Sequence, residues 1–227
     1  MIGIIDYNAG NIQSVKHALE FLRAPFILSK NPSDLEQVDK IIFPGDGDAA
    51  YAMAQLKSTG FDFFLKNWVT AKKPLIGICI GAQIVFDYSE EGNTNCLGFI
   101  PGTIRRFSSL WAETSPDAKE NENKGMLEHS LKIPHMGWND VAFCNGGTKL
   151  CKGIADNSDF YFVHSYVMQP DDPLLIKGYA HYGTMVPAIV EYENITVFQF
   201  HPEKSGKAGL QILQNFIADD TNGGKSC

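Results

Sequence analysis

The sequence predicts an α/β protein: a mostly parallel central sheet flanked by helices, with additional short strands in its second half. Two observations carry this. The first half alternates short, nearly all-apolar runs with stretches of helical periodicity, as expected for parallel strands buried on both faces by crossover helices. Two of the apolar runs also end in glycine turns, Pro44-Gly45-Asp46-Gly47 and Gly77-Ile78-Cys79-Ile80-Gly81, the usual strand-to-helix punctuation. The chain has 227 residues, enough to bury about 70% of its unfolded surface without disulfide staples.

Met1–Asp6 reads as a buried strand, and Gln13–Leu22 as a helix, with Val15, Leu19 and Leu22 on one face. Pro25–Leu28 and Lys40–Phe43 are short strands. Ala49–Leu56 and Phe61–Thr70 are helices, and Pro74–Cys79 is a near-continuous apolar strand. Ala82–Tyr88 is expected to continue as a helix. The second half reads as strands at Gly102–Phe107, Asp140–Phe143, Phe160–Val163, Leu174–Tyr179 and Thr196–Phe200, closed by a helix over Ala208–Ala218. These elements are expected to make one domain over residues 1–218. Residues 108–129, polar and charged, read as an exposed insertion, and residues 219–227 as a polar tail.

The bulk numbers exclude several classes. A net charge of −7 with interleaved signs repels phosphates, so nucleic acid is not an expected partner. No apolar run approaches the ~20 residues of a membrane-spanning helix, and the N-terminus lacks the basic start of a signal peptide. Five cysteines without a CxxC pair argue against a disulfide framework and against a metal site. A cytoplasmic location is expected.

Cys79 is the candidate nucleophile. It occupies the centre of a Gly-x-nucleophile-x-Gly elbow between a buried strand and a helical segment, where glycines let backbone segments approach closely. A cysteine taken at random is most often a buried structural group, but this setting at a strand's C-terminal end reverses that expectation. Unpaired N–H groups at the following helix favour a thiolate. The other cysteines have no such context.

The candidate base is His201. It follows the strand Thr196–Phe200 and precedes Glu203 by two residues, so one short link supplies a base and a carboxylate to fix its tautomer. His164 is a rival base, but no acidic residue closely follows it, so it reads as pocket wall. His135 reads as structural or interfacial. Backbone N–H groups around Gly45, Asp46, Gly47 and Ile80 are candidate donors to a developing oxyanion, one such donor being worth roughly 3 kcal/mol.

In this order the pieces resemble the class I glutamine amidotransferase family, whose fold is flavodoxin-like, and within it most closely the glutaminase subunits of imidazole glycerol phosphate synthase. The carriers are Asp6–Asn11, Phe43–Gly47, Gly77–Gln83, Ser89–Glu91, His135–Asn139, Tyr161–Tyr166 and Phe198–Ser205, spread over nearly the whole chain. The resemblance implies a Cys79, His201, Glu203 triad that hydrolyses L-glutamine through a glutamyl thioester, without a cofactor. It places Gln83, Glu91, His164, Ser165 and Tyr166 at the glutamine pocket. It turns Asn11, Trp138, Tyr161 and Lys204 toward a (β/α)8-barrel cyclase in a heterodimer that receives the ammonia for histidine biosynthesis. Where the family has a small apolar residue, often valine, this chain has Asp46, whose carboxylate repels an oxyanion unless turned outward. A paralogous subunit feeding another synthase, as in surface-sugar biosynthesis, shares the same triad. A cysteine peptidase needs an extended cleft rather than the small pocket that Gln83 and Glu91 suggest. A non-catalytic module that keeps the fold is opposed by the intact triad residues.

Overall fold

The computed structural model describes residues 1–9, 12–114 and 131–219. The chain runs β1 (Ile2–Ile5), α1 (Ile12–Phe21), β2 (Phe26–Ser29), β3 (Lys40–Gly45), α2 (Ala49–Thr59), α3 (Phe61–Thr70) and β4 (Leu75–Cys79). A single helical turn, α4 (Ile80–Gln83), leads to β5 (Phe86–Ser89), β6 (Thr94–Asn95), β7 (Ile100–Arg106) and α5 (Phe107–Thr114). Then follow β8 (His135–Phe143), β9 (Ser158–His164), β10 (Tyr166–Pro170), β11 (Ile176–His181), β12 (Met185–Tyr192), β13 (Ile195–Phe198) and α6 (Gly206–Ala218).

Nine strands form one sheet in the order β2-β1-β3-β4-β13-β12-β11-β8-β9. The first five are parallel, and β12, β11, β8 and β9 extend the sheet antiparallel. All residues of β1, β3, β4 and β13 are buried, which is why they read as unbroken apolar runs rather than alternating ones. A smaller sheet, β10-β7-β5-β6, packs beside it, and the chain passes from the large sheet to the small one at Ser165, between β9 and β10.

Helix limits follow local chemistry. Asp48 caps α2 by accepting from Tyr51 N at 2.8 Å, and Gly60, at φ 76°, ends it in the left-handed conformation. Lys40, buried at the start of β3, donates to the last carbonyls of α6, Phe216 O at 2.7 Å and Ile217 O at 2.9 Å. Among the described residues, no helix is long and apolar enough to cross a membrane.

Two expectations are corrected. The helix expected over Ala82–Tyr88 stops at Gln83, and Phe86–Ser89 is a strand pairing with β6 and β7. The run Ile84-Val85-Phe86 is fully buried, and a short apolar run of that kind has no periodicity to distinguish strand from helix. The expected insertion at 108–129 begins inside α5, where Phe107 and Leu110 are buried and Trp111 stacks near Phe107 and Tyr182. Its remainder from 115, and the tail beyond 219, lie outside the described residues.

Candidate active site

β4 and β13 are parallel neighbours, with Phe198 paired to Ile78, so the segments leaving their C-terminal ends emerge side by side. Cys79 ends β4 with φ 55° and ψ −112°, a conformation costly for any residue with a Cβ. Glycines on either side permit the sharp turn. A Cβ on Gly81 would stand 2.1 Å from Phe43 O, and one on Gly77 2.7 Å from Gly81 O. The following helix is one turn long, so its dipole contributes less to a thiolate than the expected longer helix would. The Cys79 thiol is buried and lies 3.8 Å from Val163 O of β9.

His201 is anchored from two sides. Its N–H donates to Tyr161 O at 2.9 Å, and Ser205 Oγ donates to its carbonyl at 2.6 Å while accepting from Tyr161 N at 3.0 Å. Nδ1 lies 2.8 Å from Glu203 Oε1, and both side chains are almost wholly buried. A carboxylate only accepts, so Nδ1 carries a proton, and it is the neutral ring that has its lone pair on Nε2. Burial opposes the charged imidazolium, but the influence of Cys79 and then of Glu203 outweighs it and raises His201 to about 10. The base and nucleophile expected from sequence thus stand at or just past the C-terminal ends of adjacent parallel strands.

Among the described residues, the buried atoms Tyr7 OH, Gln83 Oε1, Gln199 Nε2, His201 Nε2 and Glu203 Oε2 have no hydrogen-bond partner within the protein. Gln83 Nε2 donates to Tyr166 O at 3.1 Å and to Gln199 Oε1 at 2.9 Å. Gln199 and Tyr7 were not singled out from the sequence. A fully buried glutamine between Phe198 and Phe200 was the available signal for the first. Burial, and then the charges of Cys79 and Asp46, push the Tyr7 phenol up, and its ring lies 5.4 Å from that of Phe43.

The remaining expected residues fall as follows. Glu91 caps α2, accepting from Ala49 N at 2.9 Å, and the Tyr166 phenol is raised by burial and then by the charge of Glu91. His164 is buried with both ring nitrogens engaged by the protein, at Tyr166 O and at His135, so it offers none to a ligand. Ser165 and Tyr166 are half-buried where the chain changes sheets. Gly45 packs against the elbow, where an added Cβ would be 2.4 Å from Gly81 N. Ile80 is buried behind Cys79. Asp46 is exposed, and its Oδ1 accepts from Gly47 N at 2.9 Å, engaging one candidate oxyanion donor. Trp138 is 58% exposed and meets Tyr161 edge-on at 6.1 Å, with Lys204 half-buried. Asn11 lies outside the described residues.

The other cysteines differ in kind. Burial, then Asp87 and Glu91, pushes Cys96 up to about 12, and burial, then Glu191, does the same to Cys151. Burial also raises Cys144. All three are free thiols held in the unreactive form, whereas Cys227 lies outside the described residues.

A family model described as glutamine amidotransferase class-I matches residues 3–219. The chain belongs to that family. Among curated relatives, the imidazole glycerol phosphate synthase subunit HisH of Nitratidesulfovibrio vulgaris (strain DSM 19637 / Miyazaki F) is 41% identical over 218 residues, covering 96% of each chain. The same subunit of Halalkalibacterium halodurans is 40% identical over 219 residues, covering 96% of this chain and 95% of that one. Solved structures share the amidotransferase fold at lower identity. PurLQS from Thermotoga maritima aligns with a TM-score of 0.65 at 18% identity, covering 96% of this chain and 97% of its own. A glutamine amidotransferase from the same organism aligns with a TM-score of 0.57 at 13% identity, covering 96% of this chain and 80% of its own.

Proposed function

We propose that this amidotransferase is the glutaminase subunit of imidazole glycerol phosphate synthase and works through Cys79, His201 and Glu203. His201 Nε2 takes the thiol proton, and the sulfur attacks the side-chain amide carbon of L-glutamine. Backbone N–H groups of the 45–47 turn and of Ile80 receive the oxyanion. As the carbon–nitrogen bond breaks, the imidazolium returns its proton to the leaving nitrogen, releasing ammonia and leaving a glutamyl thioester on Cys79. Water, activated by the same imidazole, then cleaves the thioester to glutamate and free thiol. Glu203 holds the tautomer throughout. The observation that carries this reading is a buried imidazole whose Nδ1 is fixed by Glu203 at 2.8 Å beside a thiol on a strained elbow.

Ammonia released into water is mostly protonated and no longer nucleophilic, which favours direct delivery to a docked cyclase with a (β/α)8 barrel. By the family pattern Asn11, Trp138, Tyr161 and Lys204 face that partner, and the exposure of Trp138 and its contact with Tyr161 are compatible with such a role. The test is glutamine hydrolysis with the cyclase and its nucleotide ligand present. Cys79→Ala abolishes it with the fold intact, His201→Ala is nearly as severe, and Glu203→Gln is milder. Unchanged activity in Cys79→Ala defeats the assignment.

A further inference from the structure

Beside the triad lies a buried chain of polar groups for which the proposed reaction has no use. His135 on β8 and His164 on β9 are cross-strand partners, and His135 Nδ1 lies 2.9 Å from His164 Nε2. At the inner end, His164 Nδ1 lies 2.7 Å from Tyr166 O. At the outer end, Asn139 Nδ2 lies 3.2 Å from His135 Nε2 and 3.1 Å from His181 O. His135 is sandwiched between Phe162, with ring centroids 4.7 Å apart, and Tyr182, at 4.1 Å.

One carbonyl fixes every proton in this chain. Tyr166 O can only accept, so His164 Nδ1 carries hydrogen, and the neutral ring has a lone pair on Nε2. His135 Nδ1 must then donate, leaving Nε2 to accept from the Asn139 amide, whose second hydrogen goes to His181 O. Burial keeps both rings neutral, lowering His135 to about 4 and His164 to about 3. Both histidines thus have a single tautomer and orientation. Gln83 Nε2 supplies a second hydrogen bond to the same Tyr166 carbonyl, at 3.1 Å. The change of sheet at Ser165 is therefore clamped on both sides of its turn.

We propose that His135 and His164 are positioning residues, a relay that holds the 164–166 turn, which the family resemblance puts at the glutamine pocket, in the shape that receives the amino-acid end of glutamine. This rests on the glutaminase reading above. Groups that bind the unreacting end of a substrate hold it equally in the ground and transition states, so loosening them raises KM and spares kcat.

The experiment is steady-state glutamine hydrolysis by His135→Phe and His135→Asn, with the cyclase and its nucleotide ligand present. Phenylalanine keeps the stack on Phe162 and Tyr182 but removes the proton donated to His164. Asparagine places an amide nitrogen near the Nδ1 position and restores it. The expected result for His135→Phe is a KM rise of about tenfold with kcat changed less than about threefold, and for His135→Asn a KM within about threefold of wild type. Alkylation of Cys79 separates positioning from general disruption. Iodoacetamide, which lacks the amino-acid end, should react at the wild-type rate, and a glutamine-shaped diazoketone should react about tenfold more slowly. If His135→Phe does not fold, Asn139→Leu at the half-exposed outer end takes its place, with a KM rise of about threefold. A KM within twofold of wild type in the folded variant, or equal slowing of both alkylating agents, overturns the relay. Loss of activity in Cys79→Ala alongside an unchanged KM in His135→Phe removes the relay alone, whereas retained activity in Cys79→Ala removes the reading beneath it.

Discussion

Acid should destabilise this protein through its neutral histidines, by an amount that a catalytic-site variant doubles. His135 and His164 are held at about 4 and about 3 against about 6.5 in an unfolded chain. A depressed folded-state value means that the unfolded chain binds more protons as pH falls, so the stabilising contribution is present above pH ~6.5 and is lost below it. Between about pH 7.5 and 5.5 the two rings together lose about 3 kcal/mol. His201 runs the other way. Its folded value of about 10 lies above the unfolded one, so its contribution is complete below pH ~6.5 and is lost as pH rises toward 10. Over the same window it returns on the order of 1 kcal/mol on acidification, leaving about half of the pair's loss. His201→Gln removes that return and should lose the full amount, about 3 kcal/mol. Glu91, whose carboxyl is raised by burial, is common to both proteins and cancels in the comparison. Urea unfolding curves of wild type and variant at the two pH values, with slopes checked for constancy, measure the difference. Equal acid losses in the two proteins, or a larger loss in wild type, would refute the reasoning.

Two further outcomes follow from the geometry. Gly81→Ala sets a Cβ against Phe43 O, a backbone atom that cannot step aside, so equilibrium unfolding should show a loss of at least ~2 kcal/mol; Gly60→Ala, with open space and only a left-handed φ to pay for, should lose about 1. Asp46→Ala frees Gly47 N–H from the carboxylate that now accepts it. If that donor serves the oxyanion, glutamine turnover by the isolated chain should rise up to about tenfold, below the roughly 3 kcal/mol ceiling for one well-aimed donor.

The parallel half of the sheet was legible because burial on both faces writes itself as unbroken apolar runs, as in Ile2–Ile5 and Leu75–Cys79. The turn at Cys79 and the His201–Glu203 contact were legible because both are encoded locally, by the glycines around Cys79 and by the two-residue spacing of His201 and Glu203. The small sheet was not. Phe86–Ser89 and Tyr166–Pro170 are short and mix polar with apolar residues, and their strand identity comes from pairing with Ile100–Arg106 rather than from their own pattern. The His135–His164 contact was equally hidden. Two histidines separated by 29 positions meet only because β8 and β9 pair in one register out of several, and sequence periodicity does not specify register between strands. The engagement of Asp46 with its own neighbour's N–H is a rotamer choice, settled by local space.

The last strand in the chain sits in the middle of the large sheet. Until residues 195–198 leave the ribosome, β4 on one side and β12 on the other present unpaired edges, and the nascent molecule has no continuous sheet. Such an order makes folding depend on contacts distant in sequence and exposes unpaired edges during synthesis. Under the proposed reaction it also delays competence, because Cys79 is made early and His201 follows only after this closing strand.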